Sequence, residues 1–150
     1  AGTENLSGIA GFGAAAEAAG RDFADVGKQA AWRDRAQARL VEAAGVTVFG
    51  AAAPRLPNVL SFGCDGFDSE RQVMALDLEG VMVSAGAACS SGKVTPSHVL
   101  TAMGFAALAG QAIRVSGGWA TTAADWDRFV EVWLAARERV FARRRILAEA

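Results

Sequence analysis

Cys89 stands at the centre of a small-residue stretch, Ala85-Gly86-Ala87-Ala88-Cys89-Ser90-Ser91-Gly92, between a β-like run, Val81-Met82-Val83-Ser84, and a Pro-initiated helix at Pro96. A thiol with so little side-chain bulk around it can move and be approached. Nucleophilic sulfur chemistry needs both freedoms, because the thiolate must reach its target in line and then carry the product away. The same pattern also describes a structural cysteine buried in a turn, since free cysteine is among the most buried residue types. Spacing alone leaves these two readings level. Arg114, within Ala112-Ile113-Arg114-Val115-Ser116, reads from the residues alone as a strand arginine reaching solvent or a structural carboxylate. Thr3, at the start of a helical stretch, reads as an N-cap.

Other reactive types carry less. Cys64 reads as core or strand-end packing, and His98, at the start of a helix, as a packing or capping residue. Ser90 and Ser91 are expected to shape the loop by satisfying nearby backbone groups. The two cysteines lie far apart without a C-x-x-C pairing, and with one histidine in the chain a zinc site lacks ligands. A loop thiol and the lack of an export signal favour reduced cysteines in the cytoplasm.

These residues need a scaffold, and the chain is long enough to build one. Its 150 residues are one domain's worth, 52% hydrophobic and 21% charged, which suits a globular fold with a real core. Fifteen basic residues against sixteen acidic ones leave a net charge of -1, so nothing in the overall balance points to nucleic acid or a membrane surface. No apolar run approaches the roughly 18 residues of a membrane span. The start, Ala1-Gly2-Thr3-Glu4-Asn5, has neither the basic nor the apolar region of a signal peptide and no Met, so we expect it to begin within a longer protein.

From Thr3 to about Ala44 the pattern reads as helix, capped by Thr3 or Asn5 and anchored by Ile9, Phe12, Phe23, Val26 and Leu40. Gly8, Gly11, Gly13 and Gly20 weaken it, each by about 1 kcal/mol relative to Ala. Close approach of another backbone would compensate, and Gly20 or Gly27 is a point where the region divides in two. Gly45 ends the helix, and strands follow at Val46–Phe49 and Asn58–Phe62. Ser69-Glu70-Arg71-Gln72 has the capping-box form and opens a helix through Glu79, which Gly80 terminates. A strand over Val81–Ser84 leads into the Cys89 loop. Thr95-Pro96 then caps a short helix, Ala112–Ser116 is a strand, and Thr122–Asp125 caps the last helix. Its stripe of Trp126, Phe129, Val130, Trp133, Leu134, Val140 and Phe141 is core packing. The arginines at 137, 139, 143, 144 and 145 read as its solvated last turns. Alternating elements of this kind predict an α/β fold, with helices packed on a small mixed sheet.

The stretch Val83-Ser84-Ala85-Gly86-Ala87-Ala88-Cys89-Ser90-Ser91-Gly92, continuing into Pro96-Ser97-His98-Val99-Leu100, resembles the active-site cysteine loop of pyridoxal-phosphate-dependent cysteine desulfurases, members of the class V aminotransferase family. Ala1-Gly2-Thr3-Glu4-Asn5-Leu6-Ser7-Gly8-Ile9 resembles the segment that follows their cofactor-bearing lysine and starts a long linking helix. Leu56-Pro57-Asn58-Val59-Leu60-Ser61-Phe62 is similar to their first C-terminal strand pair. Ile113-Arg114-Val115-Ser116-Gly117-Gly118-Trp119, with Thr121-Thr122, is similar to their substrate-carboxylate strand and final helix. These motifs run in order across nearly the whole chain.

The resemblance implies residues 1–44 as a linking helical segment and 45–150 as the small C-terminal α/β domain of a fold-type I pyridoxal phosphate enzyme. It implies Cys89 as the nucleophile that takes sulfur from L-cysteine as a persulfide while alanine leaves. It further implies Arg114 as the substrate-carboxylate ligand and Thr3 as a donor to the cofactor phosphate in the other subunit of a homodimer. The sulfur would pass to iron–sulfur cluster assembly, through a scaffold protein, or to another acceptor. One departure matters: the only lysines are Lys28 and Lys93, and neither has the serine-histidine-lysine setting of the family. The large cofactor domain is therefore expected to be absent, and the chain inactive alone. Two other readings remain: a related class V aminotransferase or lyase that needs no thiol, and a stand-alone thiol protein that carries a persulfide.

Overall fold

Strands form where β-branched and aromatic residues fall between glycine and proline breaks, and helices where those breaks are sparse, except for the glycine-rich first helix. The computed structural model describes residues 2–23, 26–86 and 95–148. Within them the order is α1 (Leu6–Asp22), α2 (Val26–Ala44), β1 (Thr47–Val48), β2 (Val59–Gly63), α3 (Ser69–Asp77), β3 (Ser84–Ala85), α4 (His98–Ala102), a 3-10 turn (Ala106–Leu108), β4 (Ala112–Ser116) and α5 (Ala123–Ala148). The strands lie side by side as β1-β2-β4-β3. Every neighbouring pair is antiparallel, which corrects the expected mixed sheet. β2 and β3 do run the same way, as a strand–helix–strand unit through α3 allows. β4 is inserted between them and opposes both.

Side chains alternate across a strand, so each strand has one face to bury. Leu60 and Phe62 of β2 and Ile113 and Val115 of β4 are all buried, and they meet α2, α3 and α5. In α5 the apolar stripe holds: Trp126, Phe129, Val130 and Trp133 are buried, and Leu134, Val140 and Phe141 pack at the margin. Trp133 stands edge-on to Phe62, with ring centroids 5.2 Å apart. α2 adds Ala36 and Leu40 to this core, and its Arg35 and Arg39 pair with Asp127 of α5 at 2.6 and 3.0 Å. A smaller cluster of Phe49, Leu100, Ala109 and Ala112, with Phe105 and Leu108 against it, covers one end of the opposite face.

Helix boundaries show where local signals yield to packing. Residues 3–44 carry two helices, and Gly20 and Gly27 both fall inside them. Asn5 caps α1 by accepting a hydrogen bond from the Gly8 amide at 2.9 Å. The backbone approach expected at the α1 glycines is not made by the described chain: an added Cβ at Gly11, Gly13 or Gly20 meets nothing within 4 Å. No residue of α1 is buried. Gly45, at φ 61°, ends α2 as expected, its amide bonded to the Val41 carbonyl.

The capping box at Ser69–Gln72 does not form. Asp68 occupies the cap position without a side-chain bond, and Ser69 is buried. Gln72 turns fully inward instead, donating to the carbonyls of Phe67 (2.6 Å) and Gln111 (2.9 Å) and accepting from Trp133 Nε1 at 2.8 Å. That satisfies a buried amide and ties α3 to α5. Ser97 rather than Thr95 caps α4, accepting from the Leu100 amide at 3.3 Å. β3 is shorter and later than the predicted Val81–Ser84 strand, because the Val81 amide closes back on the Leu76 carbonyl of α3.

Candidate active site

β4 decides where Arg114 points. Ile113 and Val115 face the core, so Arg114 falls on the other face and is exposed. The register sets Ser61 of β2 directly opposite it on one side and Ser84 of β3 on the other. Directly paired residues share a face, so a guanidinium flanked by two hydroxyl-bearing residues lies where the small Phe49–Ala112 cluster leaves the sheet uncovered. Ser61 Oγ contacts the Ile113 carbonyl at 3.4 Å. Among the described residues Arg114 has no carboxylate and no hydrogen-bond partner. The structural-carboxylate reading of this arginine therefore fails within the described chain.

The strand end beyond Arg114 is held tightly. The Gly117 amide donates to the Asn58 carbonyl at 2.8 Å, and the Asn58 side chain donates back to the Gly117 carbonyl. Gln29 of α2 donates to the Gly118 carbonyl at 2.9 Å, and Thr121 Oγ1 accepts from the Gly118 amide at 2.8 Å. A Cβ at Gly117 would meet Gln29 Oε1 at 2.9 Å, so a larger residue there would push the Gln29 side chain off its bond to the Gly118 carbonyl. This clamp holds the end of β4 three residues beyond the arginine.

Ser84 and Ala85 close the sheet beside β4, and Gly86 leaves it at φ 56°. Cys89, with Ser90, Ser91 and Lys93, lies outside the described residues. Five chain positions separate it from Ser84. Thr3 is exposed just ahead of α1, and because Asn5 does the capping, its side chain is not used there. Cys64 is buried at the end of β2, as its packing assignment requires. His98 is exposed at the first residue of α4. Lys28 sits in α2. The described residues hold no cluster of His, Cys, Asp or Glu fit for a metal ion and no helix long and apolar enough to cross a membrane.

Ser61 and Ser84 were not singled out from the sequence. The available signal was a hydroxyl at an alternating position inside an apolar run, Val59-Leu60-Ser61-Phe62. Without the register, nothing tied that serine to Arg114.

A family model described as "Aminotransferase class-V" matches residues 1–129. The chain belongs to that family. Among curated relatives it is 46% identical over 136 residues to a cysteine desulfurase of Cereibacter sphaeroides, covering 88% of this chain and 34% of that protein. It is 39% identical over 146 residues to a cysteine desulfurase of Trichormus azollae, covering 95% of this chain and 36% of that one. Of solved structures, a NifS-like protein superposes with a TM-score of 0.77 at 26% identity, over 92% of this chain and 35% of its own. A second, from Rickettsia africae, gives 0.74 at 26% identity, over 95% and 36%. The chain thus spans about a third of the length of these relatives. Its sheet and helices are those of the small domain of a fold-type I enzyme, as the motifs implied.

Proposed function

We propose that this chain is the small-domain part of a cysteine desulfurase, which removes sulfur from L-cysteine and leaves alanine. The observation that carries the reading is Arg114: on the open sheet face, without a partner among the described residues, it lies between Ser61 and Ser84, and Ser84 precedes the reactive-type cysteine by five positions in the chain. Five residues span at most about 18 Å, a chain length short enough for the Cys89 thiol to act on a substrate held at the arginine. The relatives' names agree with the chemistry these two residues can do.

Arg114 binds the substrate carboxylate through its paired N–H donors, and the flanking seryl hydroxyls are placed to take further oxygen contacts. Cys89 as thiolate attacks the substrate sulfur. A sulfur–sulfur bond forms, the substrate's carbon–sulfur bond breaks, and of the two thiol protons one ends on the methyl group of alanine and one on the persulfide. No external oxidant is needed. Pyridoxal phosphate, when bound, supplies the electron sink that lets the carbon–sulfur bond break. The residues present fit one edge of it: Thr3, its hydroxyl unused for capping before the N-terminus of α1, is suited to a phosphate. We propose that the anchoring lysine lies elsewhere in the full-length protein, that residues 1–44 link this domain to the cofactor domain, and that Thr3 serves the second subunit of a homodimer. The sulfur then passes in the cytoplasm to an iron–sulfur scaffold or another acceptor.

The test uses the full-length enzyme with L-cysteine. Mass spectrometry after a single turnover should find one added sulfur on the peptide containing Cys89, with alanine released in equal amount. Sulfur on Cys64 instead, or alanine without any persulfide, would overturn the assignment.

A further inference from the structure

Outside the sheet face, the most distinctive surface is a groove of about 620 Å³ between α3 and the end of α5. Its floor and walls are apolar: Met74 from α3, Leu78 just past its end, and Val140 and Leu147 from α5. Met74, Leu78 and Leu147 are 66%, 81% and 69% exposed, far more than core-type side chains need to be. The rim is basic, built from Arg71, Arg143 and Arg144, and among the described residues no carboxylate lines the groove.

The charges of the rim are largely uncommitted. Arg71 has only an exposed pairing with Asp68 at 3.5 Å. Arg144 lies over the Phe141 ring, 5.7 Å from its centroid, and neither it nor Arg143 has a carboxylate partner among the described residues. Other arginines of α5 are engaged differently: Arg145 pairs with Glu138 at 2.9 Å and Arg139 with Glu79 at 3.7 Å. Two cations without a carboxylate partner among the described residues, Arg143 and Arg144, thus stand at the apolar groove.

We propose that this groove docks an acidic amphipathic helix of a partner protein. The groove runs between two helices with Met74, Val140 and Leu147 along it, a trough of the kind that receives the apolar face of a helix, whose own anchors recur at i, i+3, i+4 and i+7. Charge decides the class of helix: apolar anchors enter between α3 and α5 while glutamates or aspartates on its flanks meet the arginine rim. Methionine suits such a contact because its flexible thioether adapts to varied shapes. A bilayer surface fits less well, since a membrane-seeking helix presents a convex apolar face and this one is recessed. A second copy of the chain fits less well too, because its exposed helix α1 carries few acids beside Leu6, Ile9 and Phe12.

The experiment uses the full chain and a labelled synthetic helical peptide with leucines at i, i+3, i+4 and i+7 and glutamates on either side. Fluorescence anisotropy should show saturable binding that weakens as salt rises. Arg143→Glu should weaken it about tenfold, and Met74→Asp should do the same with no change at the arginines. Arg21→Glu, an equal charge change on α1, should leave it unaltered. Absence of binding, equal loss with Arg21→Glu, tighter capture by anionic phospholipid vesicles than by the peptide, or self-association of the chain abolished by Met74→Asp would each overturn the proposal.

Discussion

Cys89 and Arg114 divide the proposed reaction between them, and substitution should separate their contributions. In the full-length enzyme, Cys89→Ser should abolish sulfide production while cofactor colour persists, because a serine hydroxyl is too weakly ionised and too hard a nucleophile to attack sulfur. Cys64→Ser should stay active, since that thiol is buried in the core. Arg114→Ala should act chiefly on binding. Losing a charge-assisted pair costs about 1.5–3 kcal/mol, equivalent to a KM raised about ten- to a hundredfold, whereas the colour and the reacting sulfur are untouched. Steady-state kinetics with L-cysteine checks both. The role of Arg114 was legible only as one of several, because strand arginines commonly face solvent. The register with Ser61 and Ser84, together with the lack of a carboxylate beside it in the described chain, is what singles it out.

At the scale of elements, two caps illustrate opposite outcomes of the same local code. Thr122–Asp125 forms a reciprocal box at the start of α5: Asp125 Oδ2 accepts from the Thr122 amide and hydroxyl, each at 2.8 Å, and Thr122 Oγ1 accepts from the Asp125 amide at 3.3 Å. The Thr122 amide, then its hydroxyl, hold the Asp125 carboxyl below its ordinary value. A depressed carboxyl stabilises the fold above the usual carboxylate range and loses that contribution as pH falls through the lowered value. The melting-temperature gap between wild type and Asp125→Asn should accordingly be full near neutrality and shrink below about pH 4. Ser69–Gln72 carries a comparable signature, yet Gln72 is drawn into the core. There it completes three hydrogen bonds that no capping role would satisfy. Gln72→Leu should remove the partner of the buried Trp133 N–H and the Gln72 amide bonds to the Phe67 and Gln111 carbonyls, the latter keeping only the Cys64 amide, at a cost of about 2–4 kcal/mol in urea unfolding.

For the whole molecule, the unburied helix α1 governs behaviour. Leu6, Ile9 and Phe12 recur at three-residue spacing on α1, Phe23 stands at its C-terminal cap, and all are 60–78% exposed, apolar surface of the kind that marks contact with another domain or subunit. The chain by itself should associate in solution, and Phe12→Glu with Ile9→Glu should shift light-scattering mass toward the monomer. A monodisperse wild-type monomer would contradict the proposed covering by a cofactor domain or second subunit.

Local chemistry settled much of this protein in advance. Gly45 and Gly80 stop helices because their positive φ suits glycine. Ala112–Ser116 is a strand, and the α5 stripe packs inward, because β-branched alternation and helical spacing each leave one face to bury. The ordered motifs carried the family. What the sequence could not decide was pairing and priority. Insertion of β4 between β2 and β3 depends on contacts between residues distant in the chain, and it alone makes the sheet antiparallel and sets two serines beside Arg114. Gln72 leaves its cap, and Val81 leaves the strand, because burying a satisfied hydrogen-bond network outweighs a local preference of about 1 kcal/mol. The groove between α3 and α5 exists only once both helices pack on the same sheet face, which brings Met74 and Leu78 alongside Arg143 and Leu147.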